Sequence, residues 1–152
     1  MAANKWQSMM RSLRVLVWAG LLLITGPGYA ADPLAKPDAM TADGGSYFGA
    51  LANGRFTGTG RIDWPNGARY EGEFADGLKS GQGVMRFANG GRYEGEFRGG
   101  MMDGLGRLQM RDGSVYSGDF RRDLYHGRGR LEWANGDVYQ GQFADGEFHG
   151  QG

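Results

Sequence analysis

Along Tyr70-Glu71-Gly72-Glu73-Phe74, two rings and a glycine take one side and two glutamates the other. A period of two predicts a strand with one buried face. Gly83–Phe87 alternates the same way, with Gly83, Met85 and Phe87 on one face and Val84 and Arg86 on the other. The pattern repeats: Tyr47, Tyr70, Tyr93, Tyr116 and Tyr139 stand twenty-three residues apart. With each tyrosine as position one, the third position is Gly49, Gly72, Gly95, Gly118 and Gly141, and the fifth is Leu51, Phe74, Phe97, Phe120 and Phe143. The twelfth and fourteenth positions are glycine in every unit, and the sixteenth and eighteenth are large and apolar. No gap is needed from Tyr47 to Gly152.

Two strands per unit predict an all-β fold, an elongated single-layer antiparallel meander of β-hairpins. Asn66-Gly67, Asn89-Gly90, Asp112-Gly113 and Asn135-Gly136 lie between units. These pairs predict two-residue hairpin turns in which both residues take positive φ. The glycine-rich stretch from the eighth to the twelfth position predicts a second, longer connection. Strands of about five residues, at the usual spacing of about 4.8 Å, give a narrow ribbon that advances about 10 Å per unit. Gly72, Gly83, Gly95, Gly106, Gly118, Gly129 and Gly141 fall on the ring face at the third and fourteenth positions. They are expected to leave gaps in which the rings lie down across neighbouring strands.

The sequence YxGxF, then GxG, then NG resembles the membrane occupation and recognition nexus (MORN) repeat, as in Tyr70–Phe74 and Tyr93–Phe97, which both read YEGEF. The resemblance spans Tyr47–Gly152: four full repeats starting at Tyr47, Tyr70, Tyr93 and Tyr116, and a partial fifth from Tyr139 that stops before its second strand. Repeat one departs from the motif at Phe48, Ala50 and Leu51, and repeat four at Asp123. The resemblance implies a hairpin solenoid that acts as a binding or assembly module.

Met1–Arg14 carries Lys5, Arg11 and Arg14 and no acid; Val15–Thr25 is apolar; Gly26-Pro27-Gly28 follows, with small residues before a cut after Ala30. This order reads as a secretory signal peptide over residues 1–30, for export to the periplasm or beyond. An uncleaved inner-membrane signal-anchor is the alternative, although the apolar run is shorter than the about 20 residues a spanning helix needs. Residues 31–45, with two prolines and three aspartates, read as a flexible tether, leaving 46–152 for the hairpin array.

Composition narrows the chemistry. Glycine supplies 30 of 152 residues, against long helices, and cysteine is absent, which excludes disulfides and thiolate sites. Lys plus Arg and Asp plus Glu are 17 each, so nucleic acid is not an expected partner. Loss of residues 1–30 removes three bases and no acid, leaving a net charge of −3, which disfavours anionic lipid. His126 and His149 share the eleventh position one unit apart, about 10 Å by strand spacing, too far to converge on one metal ion. Glu71, Glu73, Glu94 and Glu96 are expected on the outer face with Arg61, Arg86, Arg107 and Arg130, paired across strands rather than set for catalysis. GxxxxGK[ST] and GxSxG do not occur. No catalytic residue, cofactor or metal is expected.

The candidate site is the ring face: Tyr70, Phe74, Phe87, Tyr93, Phe97, Tyr116, Phe120, Trp133, Tyr139 and Phe143. It reads partly as core and partly as a groove for a protein partner's extended segment. The open sheet edges offer a second route, pairing with another chain or with a second copy at the C-terminal edge. Phospholipid contact and sugar stacking on exposed rings are the alternative readings.

Overall fold

The computed structural model describes residues 36–152, so the expected signal peptide and the start of the expected tether lie outside the described residues. Eleven antiparallel strands form one open sheet, each hydrogen-bonded to the next in chain order, with no helix among the described residues. The chain enters through β1 (Ala39–Met40), β2 (Ser46–Ala52), β3 (Arg55–Asp63) and β4 (Arg69–Ala75). The middle holds β5 (Leu78–Arg86), β6 (Arg92–Arg98), β7 (Met101–Gln109) and β8 (Val115–Arg121). β9 (Leu124–Glu132), β10 (Val138–Ala144) and β11 (Glu147–His149) complete the order. The all-β meander is as expected, but β2 to β10 are longer, 7 and 9 residues in alternation rather than about five, and β1 and β11 have 2 and 3.

The two connections exchange roles relative to expectation. Within a repeat the hairpin closes at positions seven and eight, where both residues have positive φ: Asn53 and Gly54 at 51° and 74°, Asp76 and Gly77 at 50° and 83°. That is the two-residue turn whose twist matches the strands, and Asn-Gly and Asp-Gly suit it. The twelfth-position glycine, placed in the connection by the sequence reading, instead lies inside the second strand. Between repeats the loop has three residues. In the first, Gly67 N–H donates to the Trp64 carbonyl at 3.0 Å and Trp64 N–H to Ala68 at 2.9 Å. Only the glycine is left-handed there, Gly67 at 87°, while Asn66 keeps negative φ. The Asn66 side chain instead accepts the Ala68 N–H at 3.0 Å, as Asn89, Asp112 and Asn135 do for Gly91, Ser114 and Asp137. These residues are needed as local acceptors rather than for positive φ.

Two further corrections follow from the same geometry. Thr41–Gly45 forms the same three-residue loop, with Thr41 N–H donating to Gly45 at 2.8 Å and Gly44 N–H to Thr41 at 3.0 Å. With β1 it makes a half-repeat before Tyr47, so the end of the expected tether belongs to the sheet. Asp43 accepts the Trp64 indole N–H at 2.9 Å and takes the Thr41 hydroxyl, and these side-chain bonds, Thr41 foremost, hold its carboxyl below the ordinary value. At the other end, the second strand of the fifth repeat begins as β11, with Gln142 opposite His149.

The hairpins of repeats one to four each contain a bulge. Opposite β2, Gly49 pairs with Gly60 but Ala50 with Thr57, so Gly58 and Thr59 are extra. The shift recurs after Gly72, Gly95 and Gly118. Gly58, Gly81, Gly104 and Gly127 at position twelve all have positive φ, between 56° and 114°. Left-handed backbone at a bulge is where glycine costs least.

Repeat four makes its tight turn without glycine, with Arg122 at 50° and Asp123 at 69°. Left-handed backbone costs a residue with a Cβ about 1–2 kcal/mol, less for Asn or Asp. Arg122→Asn is expected to stabilise the sheet by about 1 kcal/mol in thermal denaturation; an unchanged melting temperature would show that this turn carries no strain. A Cβ on Gly95 would stand 2.5 Å from both the Leu105 carbonyl oxygen and Gly106 Cα, backbone atoms of the next strand. Gly95→Val is expected to cost about 1–3 kcal/mol or more, read as a lowered denaturation midpoint.

Candidate binding face

Cross-strand pairing sets Gly49, Gly60, Gly72, Gly83, Gly95, Gly106, Gly118, Gly129 and Gly141 side by side, a glycine row running the width of the sheet. The position-one tyrosines lie on it. A Cβ on Gly83 would come within 2.6 Å of the Tyr70 ring and hydroxyl, and one on Gly60 within 2.9 Å of the Tyr47 ring. The rings therefore occupy the space a side chain would take. Each hydroxyl reaches a carbonyl of its own strand that faces the bulge: Tyr70 donates to the Glu73 carbonyl at 2.9 Å, Tyr93 to Glu96 at 2.9 Å and Tyr116 to Asp119 at 2.9 Å. That carbonyl thus gains a partner that the interrupted ladder does not supply.

The phenylalanines at position five wedge between the tyrosines. Tyr70 meets Phe74 of its own repeat at 5.1 Å and Phe97 of the next at 5.0 Å, with ring planes 84° apart in both pairs. Edge-to-face contacts continue through Tyr93–Phe120 and Tyr116–Phe143, both 5.0 Å between centroids. Such pairs contribute about 0.5–1.5 kcal/mol each beyond their burial.

A second stratum covers the first. Position ten, to which the sequence reading gave no role, holds Phe56, Lys79, Met102, Tyr125 and Phe148. Phe56 stacks on Tyr47 at 3.9 Å and 13°, and Tyr125 on Tyr116 at 3.9 Å and 16°. With glycine below, phenylalanine at the sides and this cover above, Tyr47, Tyr70, Tyr93 and Tyr116 are 0% exposed in a one-layer sheet. Position ten had a weak signal: four of its five residues are large and apolar, but Lys79 breaks the run.

The expected site residues therefore divide. Tyr70, Phe74, Tyr93, Phe97, Tyr116, Phe120 and Phe143 are buried and form the core. Phe87, Trp133 and Tyr139 are half-buried and present surface. Beside them on the same face are the half-buried Met85, Leu108 and Met110 and the cover residues Met102 and Tyr125. The expected structural glycines, Gly72, Gly83, Gly95, Gly106, Gly118, Gly129 and Gly141, all lie in the row under the tyrosines.

The opposite face carries the charges, in a different pairing from that expected. Glu73 and Asp119, at position four, accept the bulge N–H groups of Gln82 at 3.0 Å and Arg128 at 2.9 Å. They cap the bulge, because its extra residues turn an N–H toward them. Four ion pairs run along strands, Arg92–Glu94 at 2.7 Å and Arg130–Glu132 at 2.5 Å among them. Arg69–Asp63 at 2.5 Å and Arg98–Asp103 at 3.5 Å pair across strands. His126 lies 3.8 Å from Asp145, and no three metal-ligating side chains converge among the described residues.

Burial first, and then the charge of Glu73, raises the Tyr70 hydroxyl well above its ordinary value; burial and then Glu96 do so for Tyr93, and burial and then Asp119 for Tyr116. A folded-state pKa above the unfolded value contributes stability that is complete below about 10 and is lost as pH climbs past it. Alkaline titration should therefore show phenolate absorbance from these tyrosines rising together with loss of the β-sheet dichroism; ionisation in a still-folded sheet would contradict their burial. Tyr93→Phe leaves the Glu96 carbonyl unpaired and should cost about 1–3 kcal/mol. Phe97→Ala, in the core, should lower the melting temperature far more than Glu96→Ala; equal shifts would reverse the two faces.

No curated protein matches the chain. The MORN repeat model of protein families matches residues 47–69, 70–92, 93–115, 116–138 and 139–152. Those bounds start on the five tyrosines that lie on the glycine row. The chain belongs to the MORN repeat family.

Proposed function

We propose that the chain is a non-catalytic, exported repeat scaffold that binds a protein partner through its ring face, with an open sheet edge as a second route for pairing. The observation that carries this reading is a one-layer sheet whose ring face leaves Met85, Phe87, Met102, Met110 and Trp133 only partly buried after the core is complete. Contiguous apolar surface of this kind marks interaction sites. Methionine, unbranched and polarisable, adapts to varied partners. The carboxylates on the other face are engaged with bulge N–H groups and arginines, which supports binding rather than catalysis. Export rests on the basic, apolar and small-residue order of residues 1–30.

The test uses substitutions that spare the core. Phe87→Glu with Met110→Glu places charges in the half-buried row between repeats. A partner retained by the wild-type protein from an envelope extract should be lost on this variant while its β dichroism persists. Retention by the folded variant would remove the ring face as the binding surface.

A further inference from the structure

One residue at the positions that line the ring face is charged. At positions one, three, five, ten, fourteen, sixteen and eighteen, from Tyr47 to Gly152, every residue is aromatic, aliphatic, methionine or glycine except Lys79. It sits in the cover stratum where repeats one and four have stacked rings. Its ammonium stands 5.7 Å from the Tyr70 ring centroid and 5.2 Å from that of Phe97, and among the described residues it joins no ion pair. Burial, the largest influence on it, lowers its basicity; the charges of Asp123 and then Asp43 act the other way, but neither carboxylate pairs with the ammonium, so its lost water is only partly replaced. The fold does not require a lysine here, since Met102 fills the same position in the next repeat.

Resting on the reading of this face as a protein-binding surface, we infer that Lys79 is a carboxylate anchor and that the partner segment is apolar with one acidic group. The apolar part would cover Met85, Phe87, Met102 and Met110, and an aspartate, a glutamate or a terminal carboxylate would meet the Lys79 ammonium. A carboxylate placed there replaces the lost hydration with a charge-assisted hydrogen bond in a setting of low polarity. An apolar segment without an acid would bury the ammonium further and leave it unpaired, which is costly. The cation thus selects among apolar segments as well as holding one.

A random peptide library panned against the immobilised protein tests this. Enriched peptides should be apolar with one Asp or Glu or a free C-terminal carboxylate, and an enriched peptide should bind Lys79→Met about tenfold more weakly. Lys79→Met keeps a side chain that this position already accepts, and β dichroism checks its fold. Enrichment without acid bias, or equal binding to Lys79→Met, overturns the anchor while leaving the binding face intact. Capture of the same peptides by folded Phe87→Glu/Met110→Glu, or no enrichment at all, overturns the binding face and the anchor together. Dimerisation, or co-sedimentation with phosphatidylglycerol vesicles, that Lys79→Met abolishes would assign the cation to a second copy or to lipid and overturn the peptide proposal.

Discussion

The structure depends on tyrosine rings lying flat on a row of glycines. A sheet ordinarily buries its apolar face against a second layer. No second layer covers the ring face among the described residues, and the core is instead made by side chains folded down onto their own backbone. Only glycine leaves that space: a Cβ on Gly83 would stand 2.6 Å from the Tyr70 ring. The ring must also end in a hydrogen bond, because a buried hydroxyl without one is costly. The carbonyl facing the bulge supplies the acceptor three residues on, and the hydroxyl in turn gives that carbonyl a donor. Glycine row, tyrosine and bulge are therefore one device, which explains why the period varies so little in these features.

The device propagates by nearest neighbours. Each phenylalanine at position five touches the tyrosine of its own repeat and that of the preceding one, at 5.1 and 5.0 Å for Phe97. The tight turns also interlock, with Gly77 N–H donating to the Phe56 carbonyl and Gly100 N–H to Lys79, both at 2.9 Å. Every strand pairs only with its neighbours in chain order. Stability in such an array is close to a sum of repeat and interface contributions. Phe148, in β11, is 56% exposed. At the first end the half-repeat of β1 and the Thr41–Gly45 loop pairs with β2, and Asp38 accepts the Gly49 N–H at 2.9 Å.

Much of this was legible in the sequence because its causes are local. The tyrosine spacing gave the repeat, the Tyr-Glu-Gly-Glu-Phe alternation gave the faces, and the paired glycines pointed to rings lying down. The turns were misplaced because Asn-Gly and Asp-Gly occur at both ends of the hairpin: Asn53-Gly54 makes the two-residue turn, whereas Asn66-Gly67 belongs to the three-residue loop. The sequence pair is the same, and strand register separates the two geometries. Asp43-Gly44 lies twenty-three residues before Asn66-Gly67 and marks the half-repeat, but the residue twenty-three before Tyr47 is Ile24 and no tyrosine in register announces a unit. The site was legible as a face and not as a surface. Position ten packs over the tyrosines only because the bulge sets the register there, and a bulge leaves no alternation to read.

The division between floor and cover also says where this fold can carry specificity. Positions one, three, five and fourteen are fixed by the tyrosine device: a larger residue in the glycine row displaces a ring, and a smaller one at position five opens the edge-to-face series. The cover has no such requirement. Phe56, Met102 and Tyr125 differ in shape and polarity but all pack against the core, and Lys79 takes the same place as a cation over two rings. Position eighteen varies in the same way, through Trp64, Phe87, Met110 and Trp133, all partly buried, whereas position sixteen joins the core at Ile62 and Leu131. Repeats nearly identical in backbone and core thus present unequal outer surfaces. Differences in outer surface between repeats therefore arise mainly in these two rows, because they are the ring-face positions where a change of chemistry does not first unmake the sheet.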